Sequence, residues 1–252
     1  MAKPLIGKSP VKPRSFQQHL ERIHFQLRRP FRFRSLVNRS AKYKCIFVHI
    51  PKSAGSSVRE SLFDSPTGAH RTLSGYQTVL SPKLFAECFK FTFVRNPWDR
   101  LLSAFLFLKN KDMSSNHKWA RENLSQFDDF NTFVTKWVTP NNVRSYVFFH
   151  PQYQFLCLEG KQLGVDFIGF YENLQPDFQA VCKRINSSAT LQEKNRNWLR
   201  DKDYRGIYTA ETREIVAEVY ADDLELFGYN FDNSSLPEQI VARDKAFLAA
   251  AG

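Results

Sequence analysis

Apolar residues occur in short runs separated by polar stretches, and these runs set the order of elements. Cys45-Ile-Phe-Val-His-Ile50 has the length of a strand buried on both faces, and Pro51 to Ser57 follows as a turn opening a helix that carries Val58, Leu62 and Phe63. After a polar stretch from Asp64 to Ser81, Leu84 to Phe89 reads as a short helix and Phe89-Lys-Phe-Thr-Phe-Val94 as a second buried strand. Asn96-Pro97 starts the next helix. Asn96 suits the cap, Pro97 the first helical position and Asp99 the positive end of the dipole, while Leu101, Leu102, Phe105 and Leu108 form the apolar stripe.

Ser125 to Val138 and Tyr146 to Leu158 read as helices crowded with aromatic residues. Gly164 to Phe170 reads as a third strand and Leu174 to Ile185 as the helix after it. Ser187 to Gly206 reads as a polar loop, Ala210 to Tyr220 as a helix, and Asp223 to Phe227 as a short one. Strands alternating with helices predict an α/β fold whose central parallel sheet is covered by helices on both faces.

With 252 residues, 42% hydrophobic and 24% charged, the chain is long enough to bury a sizeable core. The longest nearly pure apolar stretch, Leu101 to Leu108, falls far short of the roughly 20 residues that span a bilayer. The residues after Met1 lack the apolar run and small-residue site of a secretory signal. Cys45, Cys88, Cys157 and Cys182 are widely spaced in apolar surroundings and match neither a metal nor a disulfide pattern, so no metal is expected and a reduced, cytoplasmic protein is.

Charge divides the chain. Residues 1–44 hold twelve Lys or Arg and one acid, Glu21, whereas the remainder has 24 basic and 24 acidic residues. The expected organisation is a basic extension over 1–44, a body over 45–231 and a tail over 232–252. Within the extension, Phe16, Leu20, Ile23 and Leu27 recur at helical spacing among Arg22, His24, Arg28 and Arg29, with Phe31 and Phe33 following. Such a helix either lies on an anionic membrane, at the inner face, or packs its apolar stripe on the body. Nucleic-acid binding is not expected, because the body carries no nucleic-acid module signature.

Pro51-Lys52-Ser53-Ala54-Gly55-Ser56-Ser57 places a lysine, a glycine and three hydroxyls between a buried strand and a helix start. Helix-start N–H groups favour an anion, Gly55 allows close backbone approach, and Lys52, Ser53, Ser56 and Ser57 add donors. The competing reading is a serine cap. A Walker loop would place its lysine after the glycine, and here Lys52 precedes Gly55. At the end of the second strand stands Arg95, with Ser103 two helical turns on; a guanidinium and a hydroxyl there can share a second phosphate. Two anion sites suggest a nucleotide with phosphates at both ends.

Together these segments resemble the sulfotransferases that use 3′-phosphoadenosine 5′-phosphosulfate, PAPS. His49-Ile-Pro-Lys-Ser-Ala-Gly-Ser-Ser57 is similar to their 5′-phosphosulfate loop, which reads IPKTAGTS in the carbohydrate 2-O- and 4-O-sulfotransferase branch. Val94-Arg-Asn-Pro-Trp-Asp-Arg-Leu-Leu-Ser103 is similar to their 3′-phosphate motif. Val165 to Leu174 resembles the family's FENL-like strand end, and Tyr208 to Phe231 its closing segment. The resemblance spans about Lys44 to Phe231 and implies a P-loop-like fold. It assigns the 5′-phosphosulfate to Lys52, Gly55, Ser56 and Ser57, and the 3′-phosphate to Arg95 and Ser103. It sets Asn195, Arg196 and Trp198 at the cofactor lid.

The implied reaction moves a sulfuryl group from PAPS to a carbohydrate hydroxyl and leaves 3′-phosphoadenosine 5′-phosphate, PAP. Sulfuryl transfer needs an in-line acceptor oxygen, a base for its proton and positive charge at the departing phosphate. Lys52 is the candidate for that charge. His70, in Thr67-Gly-Ala-His-Arg-Thr72, lies where the family carries a GH segment with its base, although Ala69 here separates glycine from histidine. Glu60, Glu172 and His150 are the reserves, with Glu172 read rather as organising its turn. A glycan or lipid-linked saccharide is the expected acceptor, and Arg71, Lys109 and Lys111 could help if it is acidic. An ATP-dependent kinase and a non-catalytic nucleotide-binding protein are the alternatives.

Overall fold

The computed structural model describes residues 16–28, 30–65, 70–110, 118–158, 162–192 and 203–251. Three strands, β1 (Cys45–Val48), β2 (Phe89–Val94) and β3 (Phe167–Phe170), form a parallel sheet in the order β1-β2-β3. Cys45 lies opposite Phe89 and Phe91 opposite Phe167, so all three carboxyl ends finish on one side. Every strand residue is buried, including Lys90 and Thr92 of β2, as in a parallel sheet covered on both faces.

The alternation of side chains splits the core. Cys45, Phe47, Phe89, Phe91, Phe93 and Phe167 face α3 (Gly55–Phe63) and α10 (Leu174–Arg184), which contribute Val58, Leu62, Phe178 and Val181. The rings of Phe47 and Phe91 stack at 5.1 Å across two strands. Gly169 belongs to this face because a Cβ there would meet the Phe93 ring at 2.5 Å. Ile46, Val48, Val94, Ile168 and Phe170 face the opposite layer. That layer includes α4 (Leu73–Val79), α5 (Pro82–Glu87), α9 (Tyr153–Leu156) and α12 (Ala221–Phe227). A third cluster joins α6 (Pro97–Lys109), α7 (Lys118–Leu124), α8 (Phe130–Trp137) and α11 (Ala210–Val219).

The four cysteines are free, and burial lifts the Cys45 thiol to about 12 and the Cys88 thiol to about 11, so both stay protonated. Among the described residues no helix is long and apolar enough to cross a membrane, and no group of His, Cys, Asp and Glu could hold a metal ion.

Four local readings of the sequence are corrected. The polar stretch from Asp64 to Ser81 contains α4, capped by Thr72, which accepts from Gly75 N at 3.2 Å; Leu73, Tyr76 and Val79 are its buried face. Tyr146 to Leu158 is helical only over α9. Upstream, Arg100 takes the carbonyls of Phe148 and His150, Asp223 takes the N–H groups of Gln152 and Tyr153, and Pro151 has no N–H to give. The helix predicted over Ser125 to Val138 begins only at Phe130, because Asp129 caps it by accepting from Thr132 N. Residues 30–43, of which only Phe31 and Phe33 stood out in the sequence as apolar contacts, form a helix, α2 (Pro30–Tyr43), after α1 (Phe16–Arg28).

The N-terminal helix packs against α4 and α2, but not through the described part of its apolar stripe. Leu20, Ile23 and Leu27 are exposed, while Arg22 and Phe25 make the contacts with the body.

Residues 232–252, expected as a tail, include α13 (Leu236–Ala251), which packs on β3. Buried Arg243 reaches Asp177 at 2.8 Å and the Ile168 carbonyl at 3.2 Å, and its guanidinium lies 4.8 Å from the Phe167 ring. Asp177 also accepts from Phe170 N at 2.6 Å and Asn173 Nδ2 at 2.8 Å. Truncating one partner of such a pair leaves a buried charge without compensation. Arg243→Ala is therefore expected to destabilise the protein by about 3–5 kcal/mol in urea unfolding, and a loss below 1 kcal/mol would contradict a structural role for the pair.

Candidate active site

The candidate site is built where β1 and β2 end. After β1 the chain turns through Lys52 and Ala54, both left-handed, with φ of 67° and 60°. Non-glycine residues hold this conformation only when their surroundings impose it. Ala54 is the residue before α3 and supplies no side-chain cap, so the serine-cap reading fails. The first turn of a nine-residue helix thus starts at the mouth of a loop carrying a lysine, with the positive end of its dipole toward the loop.

Gly55 is required by contact rather than by dihedral angle. A Cβ there would stand 1.8 Å from His49 Cδ2 and 2.0 Å from its Nε2. The imidazole of His49, which the sequence placed only as mid-strand, therefore fills the underside of the loop. It is buried, its Nδ1 has no hydrogen-bond partner among the described residues, and burial, then His70, then Arg59 hold it neutral, well below the ordinary histidine range.

His70 stands against this ring, with centroids 4.5 Å apart, and its Nδ1 lies 3.2 Å from the His49 carbonyl. A carbonyl oxygen only accepts, so the contact puts the proton on Nδ1 and leaves Nε2 as the basic nitrogen. The His70 ring meets Phe148 at 5.5 Å, Phe148 stacks on Phe107 at 5.5 Å, and Lys52 Nζ sits 4.0 Å over Phe107. One aromatic pair therefore brings the ammonium and the imidazole to the same place. Phe107 lies one turn beyond Ser103 on α6, so half-buried Ser103 is on the helix face that meets Lys52.

Arg95 is held more closely than its sequence suggested. Asp99, read as a favourable first-turn acid, grips it twice, from Nε and Nη2, both at 2.7 Å. Nη1 donates to the Lys52 carbonyl at 3.1 Å, and the guanidinium lies 4.1 Å over Tyr171. Among the described residues, three of its five N–H groups are thus engaged.

Gln152 ties the loop to this strand end. Its Oε1 accepts from Arg95 N at 3.0 Å and from Ser53 Oγ at 3.4 Å, and its Nε2 donates to Arg95 O at 2.8 Å. Ser53 is thereby turned into the core, while Ser56 is half-buried and Ser57 lies at the helix start. The backbone of Gln152 is held by Asp223, next to fully buried Arg100. Burial lifts the Asp223 carboxyl to about 6, against the opposing pull of Arg100 and the two N–H groups.

The reserves divide. Glu172 accepts from Asn96 N at 2.7 Å and from Tyr229 OH at 2.8 Å, fixing the start of α6, and burial raises its carboxyl. His150, lowered by burial, packs on Phe155, and Glu60 lies on α3. Lys109 is committed to the Phe127 carbonyl at 2.7 Å, and Arg71 lies over the Phe25 ring. Lys111, Asn195, Arg196 and Trp198 lie outside the described residues. Asp99, Gln152 and Asp223 were missed as site residues. The sole sequence hint was Asp99 four residues after Arg95, the spacing of a helical ion pair.

The frame is that of an α/β protein: a parallel sheet whose first strand runs through a loop into a helix start, with an arginine just past the end of the adjacent strand. The chain belongs to the sulfotransferase family, whose model (sulfotransferase family 2) matches residues 36–230. It is also 33% identical over 125 residues to an uncharacterized protein of Archaeoglobus fulgidus, covering 50% of this chain and 89% of that one. No solved structure matches it.

Gly55→Ala forces the new methyl into His49, so it is expected to lower stability by about 1–3 kcal/mol. His49→Ala in the same chain should recover most of that loss, a coupling that a thermal double-mutant cycle reads directly; additive losses would break the claimed contact. For Asp223 the folded form holds its proton more tightly than the unfolded chain, whose pKa is near 3.8. Its contribution is complete below about pH 4 and is lost as pH rises through 6. Wild-type stability relative to Asp223→Asn should fall over that window by on the order of 3 kcal/mol, and a flat difference in denaturation series would refute the raised carboxyl.

Proposed function

We propose that this protein transfers the sulfuryl group of PAPS to a hydroxyl of a carbohydrate acceptor, on a P-loop-like fold. The observation that carries the reading is the uncapped start of α3 behind left-handed Lys52 and Ala54, joined through the Lys52 carbonyl to Arg95. A helix start, an ammonium and a guanidinium thus lie together, as a doubly phosphorylated nucleotide would require. PAPS, when bound, supplies the sulfuryl group and departs as PAP.

The residues present fit that group. Lys52, Gly55, Ser56 and Ser57 receive its 5′ end; Ser53 contributes from behind, through Gln152. Arg95 takes the 3′-phosphate together with Ser103, and Arg196 belongs to the lid in the same reading. His70 Nε2 takes the proton from the acceptor hydroxyl, since Nδ1–H is committed to the His49 carbonyl. Lys52 places positive charge on the departing phosphate, and its contact with Phe107 keeps the ammonium on the His70 side. Likeness of the loop to the carbohydrate 2-O- and 4-O-sulfotransferase branch supports a saccharide acceptor. Residues 1–44, basic and amphipathic, support work at the inner membrane face of the cytoplasm. The kinase reading loses ground because Lys52 precedes Gly55 and is anchored to Arg95, not placed after the glycine as a Walker lysine.

PAP at a hundredfold excess over its Kd should raise the melting temperature by about 5–10 °C, whereas ATP with Mg²⁺ should not. Lys52→Ala and Arg95→Ala should abolish the shift. His70→Ala should keep it while losing sulfuryl transfer in a radiolabelled PAPS assay against a glycan panel. A shift with ATP and Mg²⁺ alone would overturn the donor assignment, and unchanged turnover in His70→Ala would remove the base.

A further inference from the structure

One side of α1 is attached and the other is bare. Arg22 Nε donates to the Val79 carbonyl of α4 at 3.0 Å, and the Phe25 ring lies 4.4 Å from the Arg71 guanidinium. At about 100° per residue, Leu20, Ile23 and Leu27 share a narrow arc roughly 160° away from Phe25. They are 49%, 39% and 75% exposed. Among the described residues five large apolar side chains are exposed, and three of them make this stripe. A helix that only braced the body would turn such a stripe inward.

The charge around the stripe is one-sided. Residues 1–44 carry twelve Lys or Arg against the single acid Glu21. A stripe of leucine and isoleucine within a strongly cationic segment matches a surface that is anionic outside and apolar just beneath. We propose that α1 seats on an anionic lipid bilayer through Leu20, Ile23 and Leu27, while Arg22 and Phe25 keep it fixed to the body. Arg71, which Phe25 touches, is the neighbour of His70, so the seated helix lies beside the base. The bilayer contact extends the membrane-face part of the proposed function, yet it stands or falls without the sulfuryl-transfer chemistry.

The test is flotation of the full chain with vesicles of phosphatidylcholine alone and of phosphatidylcholine with phosphatidylglycerol, beside light scattering without lipid. Wild type should float only with the anionic vesicles. The variant combining Leu20→Gln, Ile23→Gln and Leu27→Gln should partition at least tenfold less, with its melting temperature and PAP-induced shift unchanged. Wild type that stays at the bottom with anionic vesicles, or a variant that floats equally, overturns the seat. A wild-type dimer that the variant converts to monomer overturns it as well, by making a second copy of this chain the occupant. A missing PAP shift with normal flotation would count against the transferase reading alone.

Discussion

The site depends on one side-chain amide that behaves as backbone. Gln152 both accepts from and donates to the main chain of Arg95, just past the end of β2, supplying the pair of bonds that a neighbouring strand would have given. The same oxygen reaches Ser53, so the loop after β1 and the turn after β2 are fastened at one point. Asp223 in turn holds the N–H of Gln152, and Arg100 holds the carbonyls of Phe148 and His150 just before it. A buried polar network of this kind rigidifies when its members are satisfied and is costly when one is removed. The left-handed residues of the loop persist because both ends of the loop are held.

Much of the frame was legible because it is written in contiguous residues. The three strands are short, largely apolar runs, interrupted in β2 by Lys90 and Thr92, and α6 announces itself through Asn96, Pro97 and its stripe; the structure has Asn96 accepting from Trp98 N at 3.1 Å. Gly55 was read as permitting close approach, and what approaches is an imidazole. Lys52 and His70, nominated separately, meet the same aromatic pair. The illegible parts depend on distant partners. Nothing local in Pro151-Gln-Tyr153 indicates that Gln152 will pair with a residue 57 positions away, or Asp223 with one 71 away. Local propensity favoured a helix there, and long-range bonds to the same backbone groups removed it. The segment around Leu73 failed for the opposite reason, since its buried residues are diluted by Ser, Gly and Thr and the element is short.

The two histidines illustrate how burial divides labour between similar side chains. His49, enclosed beneath the loop, is held neutral and serves as shape, whereas His70 is half-buried and uses one nitrogen to fix the orientation of the other. Carboxylates divide in the same way. Asp99 spends its charge on Arg95, Glu172 on the start of α6, and Asp177 on the C-terminal helix. Each supports a cation or a backbone turn, so these acids serve the frame around Lys52 and Arg95.

The pairing of Arg243 with Asp177 has a consequence for the order in which the molecule can mature. Ile168, which shares Arg243, precedes it by 75 residues, and until α13 arrives the acid beside β3 has no cation to meet. Before α13 packs, the third strand therefore carries at its flank an aspartate without that cation. This charge disfavours premature stacking of that phenylalanine-rich surface on other chains, acting as a gatekeeper that the last helix later neutralises.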